Sequence, residues 1–222
     1  EGLAPDDIIR GAGVVNYASG TVNITASVIF NNFSRKHGGG ISNTEGNLHV
    51  SNSTIIQNRG IGGGIFGLGT IKSSIIAKNI PSNSAGGDVS GTFISEGFNL
   101  VGIEEGSTGF TAPTDLKGTL AVPFDPKFDP NGVEISFLGS MIPVPGLPLC
   151  GSPVIDKGTS DGLSTDLRGA GFPRIVDDPD ESNAADGADI GAIERQTACP
   201  QIAFTVNNTS DADDASPGDR NC

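Results

Sequence analysis

The chain has 222 residues, a formal net charge of −13 and a sequence pI near 4.3. Its 33 glycines, 5% aromatic residues and lack of tryptophan argue against a helical bundle and favour a repetitive β structure with thin layers of Val, Ile and Leu. The acidic balance and the scattered Lys and Arg residues argue against nucleic-acid binding, and no apolar run in the sequence is long enough to span a membrane.

A repeat runs through the first hundred residues, with units that begin at Gly11, Gly38, Gly62 and Gly86. Each unit contains short runs, such as 21–25, 47–51 and 69–73, in which β-branched and polar residues alternate to give one apolar face. No unit can bury that face alone, but stacked units bury it as one continuous core. The sequence therefore predicts an all-β fold, a right-handed parallel β-helix of about four coils over residues 8–102 within a segment 1–102.

One asparagine recurs at the same place in three units, as Asn32, Asn58 and Asn79. Equivalent residues stack in a β-helix, so these side chains are predicted to form a hydrogen-bonded ladder at one corner. Asparagine tolerates the left-handed backbone conformation, so we also expect these residues to make the turn themselves. The glycine triplets are interpreted as further corners and not as phosphate-binding loops, because no helix follows them.

After residue 102 the repeat fades, and residues 103–198 are predicted to form a loop-rich cap of the same domain. Proline-rich stretches at 124–130 and 141–148 exclude helix and confine strands to sheet edges, with one short strand expected over 132–137. The apolar residues of 103–150 are expected to cover the open end of the helix, since an uncovered end exposes unpaired strands.

Charged residues and cysteines are predicted to hold the cap together. Four charged residues are expected to form a structural ion-pair network and not a catalytic set, with Asp156 as a further candidate member: Asp166, Arg168, Arg174 and Asp189. Cys150 precedes one motif of the cap and Cys199 follows another, so pairing of those motifs would bring the two cysteines within bonding distance. Cys222 is then left over or bonded to another chain.

Three spaced motifs lie in the cap: Gly151-Ser-Pro-x-Ile-Asp-x-Gly158, Thr165-Asp-x-Arg-Gly169 and Asp189-Ile-Gly-Ala-x-Glu194. With the run 87–102 they resemble the bacterial choice-of-anchor Q family over roughly residues 38–195. That resemblance implies a pectate-lyase-like β-helix, an extracellular or bacterial cell-surface location, and no assigned catalytic activity. Residues 203–222 resemble the opening of a CSLREA domain, although the segment that names that domain is absent, so 199–222 is treated as an extension.

Three functions stay open. A non-catalytic structural or adhesive module is favoured, because Asp88 is the sole Asp between residues 8 and 114 and uronate elimination needs acidic residues to hold Ca²⁺. A carbohydrate-binding module is the second, supported by ladders of Asn and by Tyr17 but not by any Trp. A polysaccharide-degrading, lyase-like enzyme is the third. It is the least favoured, because the paired carboxylates that glycoside cleavage needs lie in loops.

Partners and cofactors follow from the same features. Copies of the chain or neighbouring modules are expected to associate end to end into a filament, and extracellular polysaccharide is a further candidate partner. Asp211-x-Asp213-Asp214-x4-Asp219 is a candidate Ca²⁺ loop, weighed against a plain solvated tail, and no other cofactor is expected. The run 202–206 alternates like a strand and is expected either to add to a neighbour or to fold back on its own cap.

Overall fold

A computed structural model describes residues 13–35, 37–82, 87–137 and 139–200 of the chain, and these residues contain strands, turns and loops without an α-helix. The strands are β1 Val14–Asn16, β2 Thr21–Thr25, β3 Val28–Phe30, β4 Ile41–Asn43, β5 Asn47–Ser51, β6 Thr54–Ile56, β7 Arg59–Gly60, β8 Ile65–Lys72, β9 Ile75–Ala77, β10 Ile80–Pro81, β11 Val89–Ser95, β12 Leu100–Val101, β13 Ser107–Thr108, β14 Leu116–Lys117, β15 Val133–Phe137 and β16 Ser140–Val144.

Strands from successive repeat units pair in parallel, which confirms the predicted parallel β-helix. One sheet has the order β1-β4-β8-β11-β13, and in it β5 also pairs with β8 while β2 pairs with β5. A second sheet has the order β3-β6-β9-β12-β14. Strands β7 and β10 form a short pair of their own. The stack makes about three turns. Strands β11 to β14 add a shorter, incomplete turn at its C-terminal end, so the coils are close to the number expected.

Branched aliphatic side chains fill the inside of the coils, because the strand register stacks equivalent residues of successive coils above one another. Ile29, Ile55 and Ile76 align through β3, β6 and β9. Ile41 and Ile65 align in the same way on the opposite sheet. This layering buries the interior without a large aromatic core, as the composition required.

Glycine is required where β8 and β11 bend from one face of the coil to the next. Gly67 and Gly91 have φ values of 116° and 132°, which L side chains rarely adopt. A Cβ at either position would also collide with a carbonyl oxygen of the preceding coil, on Asn43 and on Gly67. These two glycines let one strand pass the corner without breaking its pairing.

The loop-rich segment packs along the side of the coils as well as at their end. Val154 and Ile190 pack with Ile75, Ala77 and Leu100 on the outer face of the second sheet. Strands β6 and β9 are consequently buried on both faces. The sequence predicted that residues 103–150 cover the open end of the helix. The segment from β13 to β14 does so by extending the two sheets there, whereas other parts of the loop-rich segment lie along the side.

The predicted strand over 132–137 is present as β15, and it forms an antiparallel hairpin with β16. The hairpin stands apart from the two parallel sheets, so Pro143 within β16 lies in a two-stranded ribbon and does not interrupt the ladder of the coils.

Candidate functional site

The predicted asparagine ladder is present at one corner of the coils. Asn32 donates from its backbone N and from Nδ2 to Asn58 Oδ1, each at 3.0 Å. Asn58 donates in the same way to Asn79 Oδ1, at 3.0 and 3.1 Å. Asn79 donates to Asp88 Oδ1 at 2.6 and 2.9 Å. The ladder therefore has a direction, and a carboxylate, which needs no acceptor, ends it.

The left-handed residues of this corner are not the ladder asparagines, which corrects the expectation. Asn31, Gln57 and Lys78 have φ values of 56°, 58° and 55°, and each directly precedes a ladder residue. A left-handed residue turns the chain, and the next residue then directs both its backbone N–H and its carboxamide at the following coil. The turn and the ladder are thus made by neighbouring residues.

A second ladder, which the sequence analysis missed, lies at another corner. Ser53 Oγ accepts from Ser27 N, Ser74 Oγ accepts from Ser53 N, and Asn99 Oδ1 accepts from Ser74 N. Asn99 N and Nδ2 donate to Asp115 Oδ1 at 3.2 and 3.1 Å. Both ladders thus end on an aspartate, and the recurring Ser two residues after the end of β2, β5 and β8 was the available signal.

Burial raises the pKa of Asp88 to about 6, although hydrogen bonds from Asn79 and Ile103 oppose that shift. The carboxylate accepts on both oxygens, with Ile103 N donating to Oδ2 at 2.8 Å. Asp88, a candidate for lyase chemistry in the sequence, therefore closes the Asn ladder inside the protein.

The predicted ion-pair network in the cap is present, but Glu194 is its centre. Arg174 is fully buried and donates from Nη1 to Glu194 Oε2 at 2.8 Å. Its Nη2 donates to Asn52 Oδ1 at 2.7 Å and so ties the cap to the coils. Arg168 pairs with Asp166, whose Oδ2 also accepts from Glu194 N at 2.9 Å. The motif Asp189-Ile-Gly-Ala-x-Glu194, which ends in this residue, is the sequence feature that could have indicated its role.

Asp189 joins the same cluster because its carboxylate accepts hydrogen bonds from backbone N–H groups. Its Oδ1 accepts from Asp156 N at 3.0 Å and its Oδ2 accepts from Arg195 N at 2.8 Å. Burial, followed by the charge of Asp189, raises the pKa of Glu194, while Arg174 opposes this shift. Burial also raises the pKa of Asp189 and that of Asp156. We call Asp156, Asp166, Arg168, Arg174, Asp189 and Glu194 the cap clamp.

The predicted disulfide joins Cys150 and Cys199, whose Cα atoms lie 5.5 Å apart. Cys199 N also donates to Asp178 Oδ2 at 2.8 Å, which fixes the end of the described chain to the cap. Cys222 lies outside the described residues, as does the candidate Ca²⁺ loop 211–219. Among the residues described, no group of three or more His, Cys, Asp or Glu is arranged to hold a metal ion.

A polar groove follows the outer face of β2, β5, β8 and β11. Parallel pairing aligns its side chains in rows across the coils, so Asn23, His49 and Thr70 form one row. Thr25, Ser51 and Lys72 form the next row. Two cavities of about 250 and 270 Å³ share His49 and Thr70 and make up the groove.

The cap supplies one wall of this groove. Lys72 Nζ contacts Asp161 Oδ1 at 2.5 Å, although 89 residues separate them in the chain. Thr159 N donates to Ser73 Oγ at 3.0 Å, which holds the loop of Asp161 against a corner of the coils. Glu96 lines the same part of the groove. The sequence alone does not reveal the groove, since no spacing relates Asp161 to the strands.

No protein-family model matches the chain, and neither a curated protein nor a solved structure shows significant similarity to it. The described part of the chain has no helix long and apolar enough to cross a membrane.

Proposed function

We propose that the chain is a non-catalytic structural or adhesive module of a secreted or surface-anchored bacterial protein. The observation that supports this most directly is the position of its perturbed acids. The described acids with a raised pKa are Asp88, Asp156, Asp189 and Glu194, and all lie in the Asn ladder or the cap clamp. Active sites usually place such groups in a cleft, whereas here Asp88 joins neighbouring coils and the other three accept hydrogen bonds from groups of the cap itself.

The experiment for this proposal is a turnover assay on a panel of polysaccharides, including uronate polymers with added Ca²⁺. We expect no product from the native chain. Cleavage that is lost in Glu96→Gln or in Asp161→Asn, with Glu134→Gln in the exposed hairpin as the matched control, would replace this proposal with an enzyme acting in the groove.

End-to-end contact with copies of the chain or with neighbouring modules is the second part of the proposal. In the described residues β1, β2 and β3 are each paired on one side, and a strand edge of this kind can accept a further strand. At the other end β13 and β14 have two residues each, which makes a shorter template. Electron microscopy and light scattering of the native protein should show head-to-tail chains, and a monomer at every concentration contradicts this part.

Binding of a neutral glycan is a second candidate function, and the groove supports it. Hydroxyl, amide, imidazole and charged side chains line one end, while Leu68 and Ile94 lie at the other. Such a mixture suits sugar rings, which present hydroxyls at their edges and C–H groups on their faces. The ion pair of Lys72 with Asp161 and the nearby Glu96 leave no excess of positive charge for a polyanion.

A glycan array followed by calorimetry tests the groove. Loss of one hydrogen bond in His49→Ala should weaken binding by about three- to tenfold. Glu134→Ala, which lies in the hairpin β15–β16, should leave the affinity unchanged. Equal effects of both variants, or no binding to any glycan, exclude this candidate.

A further inference from the structure

We propose that the cap contains a Ca²⁺ site, formed by Asp156, Asp177 and Asn183 where the loop 177–187 folds over the cap clamp. We call residues 177–187 the acidic loop, because it has no Lys or Arg and five acids: Asp177, Asp178, Asp180, Glu181 and Asp186. Acids in a loop are by themselves no site, since most of them are simply solvated. A buried oxygen without a partner distinguishes this loop. The site is separate from the candidate Ca²⁺ loop 211–219.

The buried oxygen is Oδ1 of Asp156, a residue with no exposed surface. Asp156 Oδ2 accepts from Asp178 N at 3.0 Å, and the carbonyl oxygen of Asp156 accepts from Ala184 N at 2.8 Å. Both donors belong to the acidic loop, so the carboxylate faces it. Within the described part of the chain nothing donates to Oδ1. A buried polar atom of this kind costs free energy unless water or a cation contacts it.

Two side chains of the acidic loop supply further oxygens at the same place. Asp177 directly precedes the first of the two residues that donate to Asp156, and Asn183 directly precedes the second. Asn183 Nδ2 donates to Asp177 Oδ1 at 2.7 Å, which brings the two side chains together. Donation by the amide nitrogen leaves the amide oxygen of Asn183 as an acceptor. The three residues therefore form a closed set of contacts that presents carboxylate and amide oxygens.

Charge favours a cation over a water molecule. Burial raises the pKa of Asp156, and the charges of Asp177 and Asp178 raise it further, against the hydrogen bond from Asp178 N. Lys157 opposes this repulsion, but its Nζ donates to Glu181 Oε2 at 3.3 Å and to Ser182 O at 2.6 Å. A cation relieves the repulsion, whereas a water molecule leaves it in place.

The donor set suits Ca²⁺, which binds carboxylate, amide and water oxygens in a flexible geometry. Because Asp177 is exposed, water can complete the coordination. Two carboxylates, one amide oxygen and water do not require a cluster of three acids. A cation at this position would fasten the acidic loop to Asp156 and thereby to the cap clamp.

Calcium titration of the full chain tests the site, with thermal unfolding and hydrogen exchange as readouts. At an ionic strength of about 0.15 M we expect one saturable response with a Kd of about 0.1–1 mM, the range of extracellular Ca²⁺ modules. Ca²⁺ at about ten times Kd should raise Tm by about 3–6 °C. The amides of Asp178 and Ala184 should exchange more slowly with the same concentration dependence, since both donate to Asp156.

Four variants locate the response. Asp156→Asn keeps an acceptor for Asp178 N but removes the charge, so its Tm should not respond to Ca²⁺. Asp177→Ala, at an exposed position, should weaken binding by about tenfold or more. Glu181→Gln removes an equal charge from the same loop, at a residue that bonds Lys157, and as the matched control should change Kd by about twofold at most. Replacing Asp211, Asp213 and Asp214 together by Asn should leave the response intact.

Three results would overturn the site. The first is a Tm that does not rise up to about 10 mM Ca²⁺, ten times the highest Kd expected. The second is equal weakening in Asp156→Asn and Glu181→Gln, which identifies diffuse attraction of cations to the acidic loop. The third is a response that disappears in the triple Asn variant, which places Ca²⁺ in the segment 211–219. If Asp156→Asn does not fold, Asp177→Ala decides between site and diffuse attraction against the same control.

Discussion

Arg174→Met is the most informative perturbation of the cap clamp. In the wild type the guanidinium contacts Glu194 Oε2, Asn52 Oδ1 and the carbonyls of Asp189 and Gly191, at 2.7 to 3.0 Å. Methionine has a similar length but donates no hydrogen bond, so Glu194 loses its cationic partner inside the protein. Removing one member of a buried ion pair costs about 3–5 kcal/mol of unfolding free energy. For a chain of this size, a loss of about 4 kcal/mol lowers Tm by about 8–16 °C.

Urea unfolding followed by circular dichroism measures the loss, and hydrogen exchange locates it. The amides of Gly191 and Ala192 donate to Ser73 O at 3.0 Å and to Thr54 Oγ1 at 3.1 Å, so they report whether the cap stays on the coils. We expect these amides to exchange faster in Arg174→Met, because the variant loses the bond from the cap to Asn52.

Two comparison variants separate the ion pair from general damage. Adding Glu194→Gln to Arg174→Met removes the unpaired carboxylate and should recover about 2 kcal/mol. Lys72→Met breaks the more exposed pair with Asp161 and should cost about 0–1 kcal/mol. A loss below about 1 kcal/mol in Arg174→Met would equal that of a surface pair and would refute the assignment of the clamp.

Three further predictions concern the Asn ladder and the disulfide. The pKa of Asp88 is raised to about 6, so its contribution to stability is complete below its ordinary pKa of 3.8 and is lost as the pH rises through 6. Between pH 4 and 7 the wild type should lose about 2 kcal/mol that Asp88→Asn does not, measured by urea unfolding at each pH. Asn58→Ala should cost about 3 kcal/mol and Asn32→Ala, at the half-buried first rung, less; equal losses would contradict a directional ladder. Removing the 49-residue link in Cys150→Ser should cost about 4 kcal/mol under non-reducing conditions and nothing under reducing conditions.

The repeat determined the coils, because the spacing of the repeat units can be read directly from the sequence. Residues such as Ile55 and Ile76 recur at equivalent places, and stacking is the one arrangement that buries all of them. The same recurrence identified Asn32, Asn58 and Asn79 as a ladder. It did not identify the left-handed position, since both Asn31 and Asn32 suit a turn and the backbone alone distinguishes them.

Tertiary structure decided where the cap lies and which residues it brings together. Arg174 and Asn52 are 122 residues apart, and Lys72 and Asp161 are 89 apart, so no period or spacing relates them. The sequence supplied the charged members of the clamp but not Glu194 as their centre, because the choice of partner depends on which carboxylate the fold buries beside Arg174. Local patterns thus determine elements that stack on their own copies, whereas contacts between unlike segments depend on shape and burial that exist in the folded chain alone.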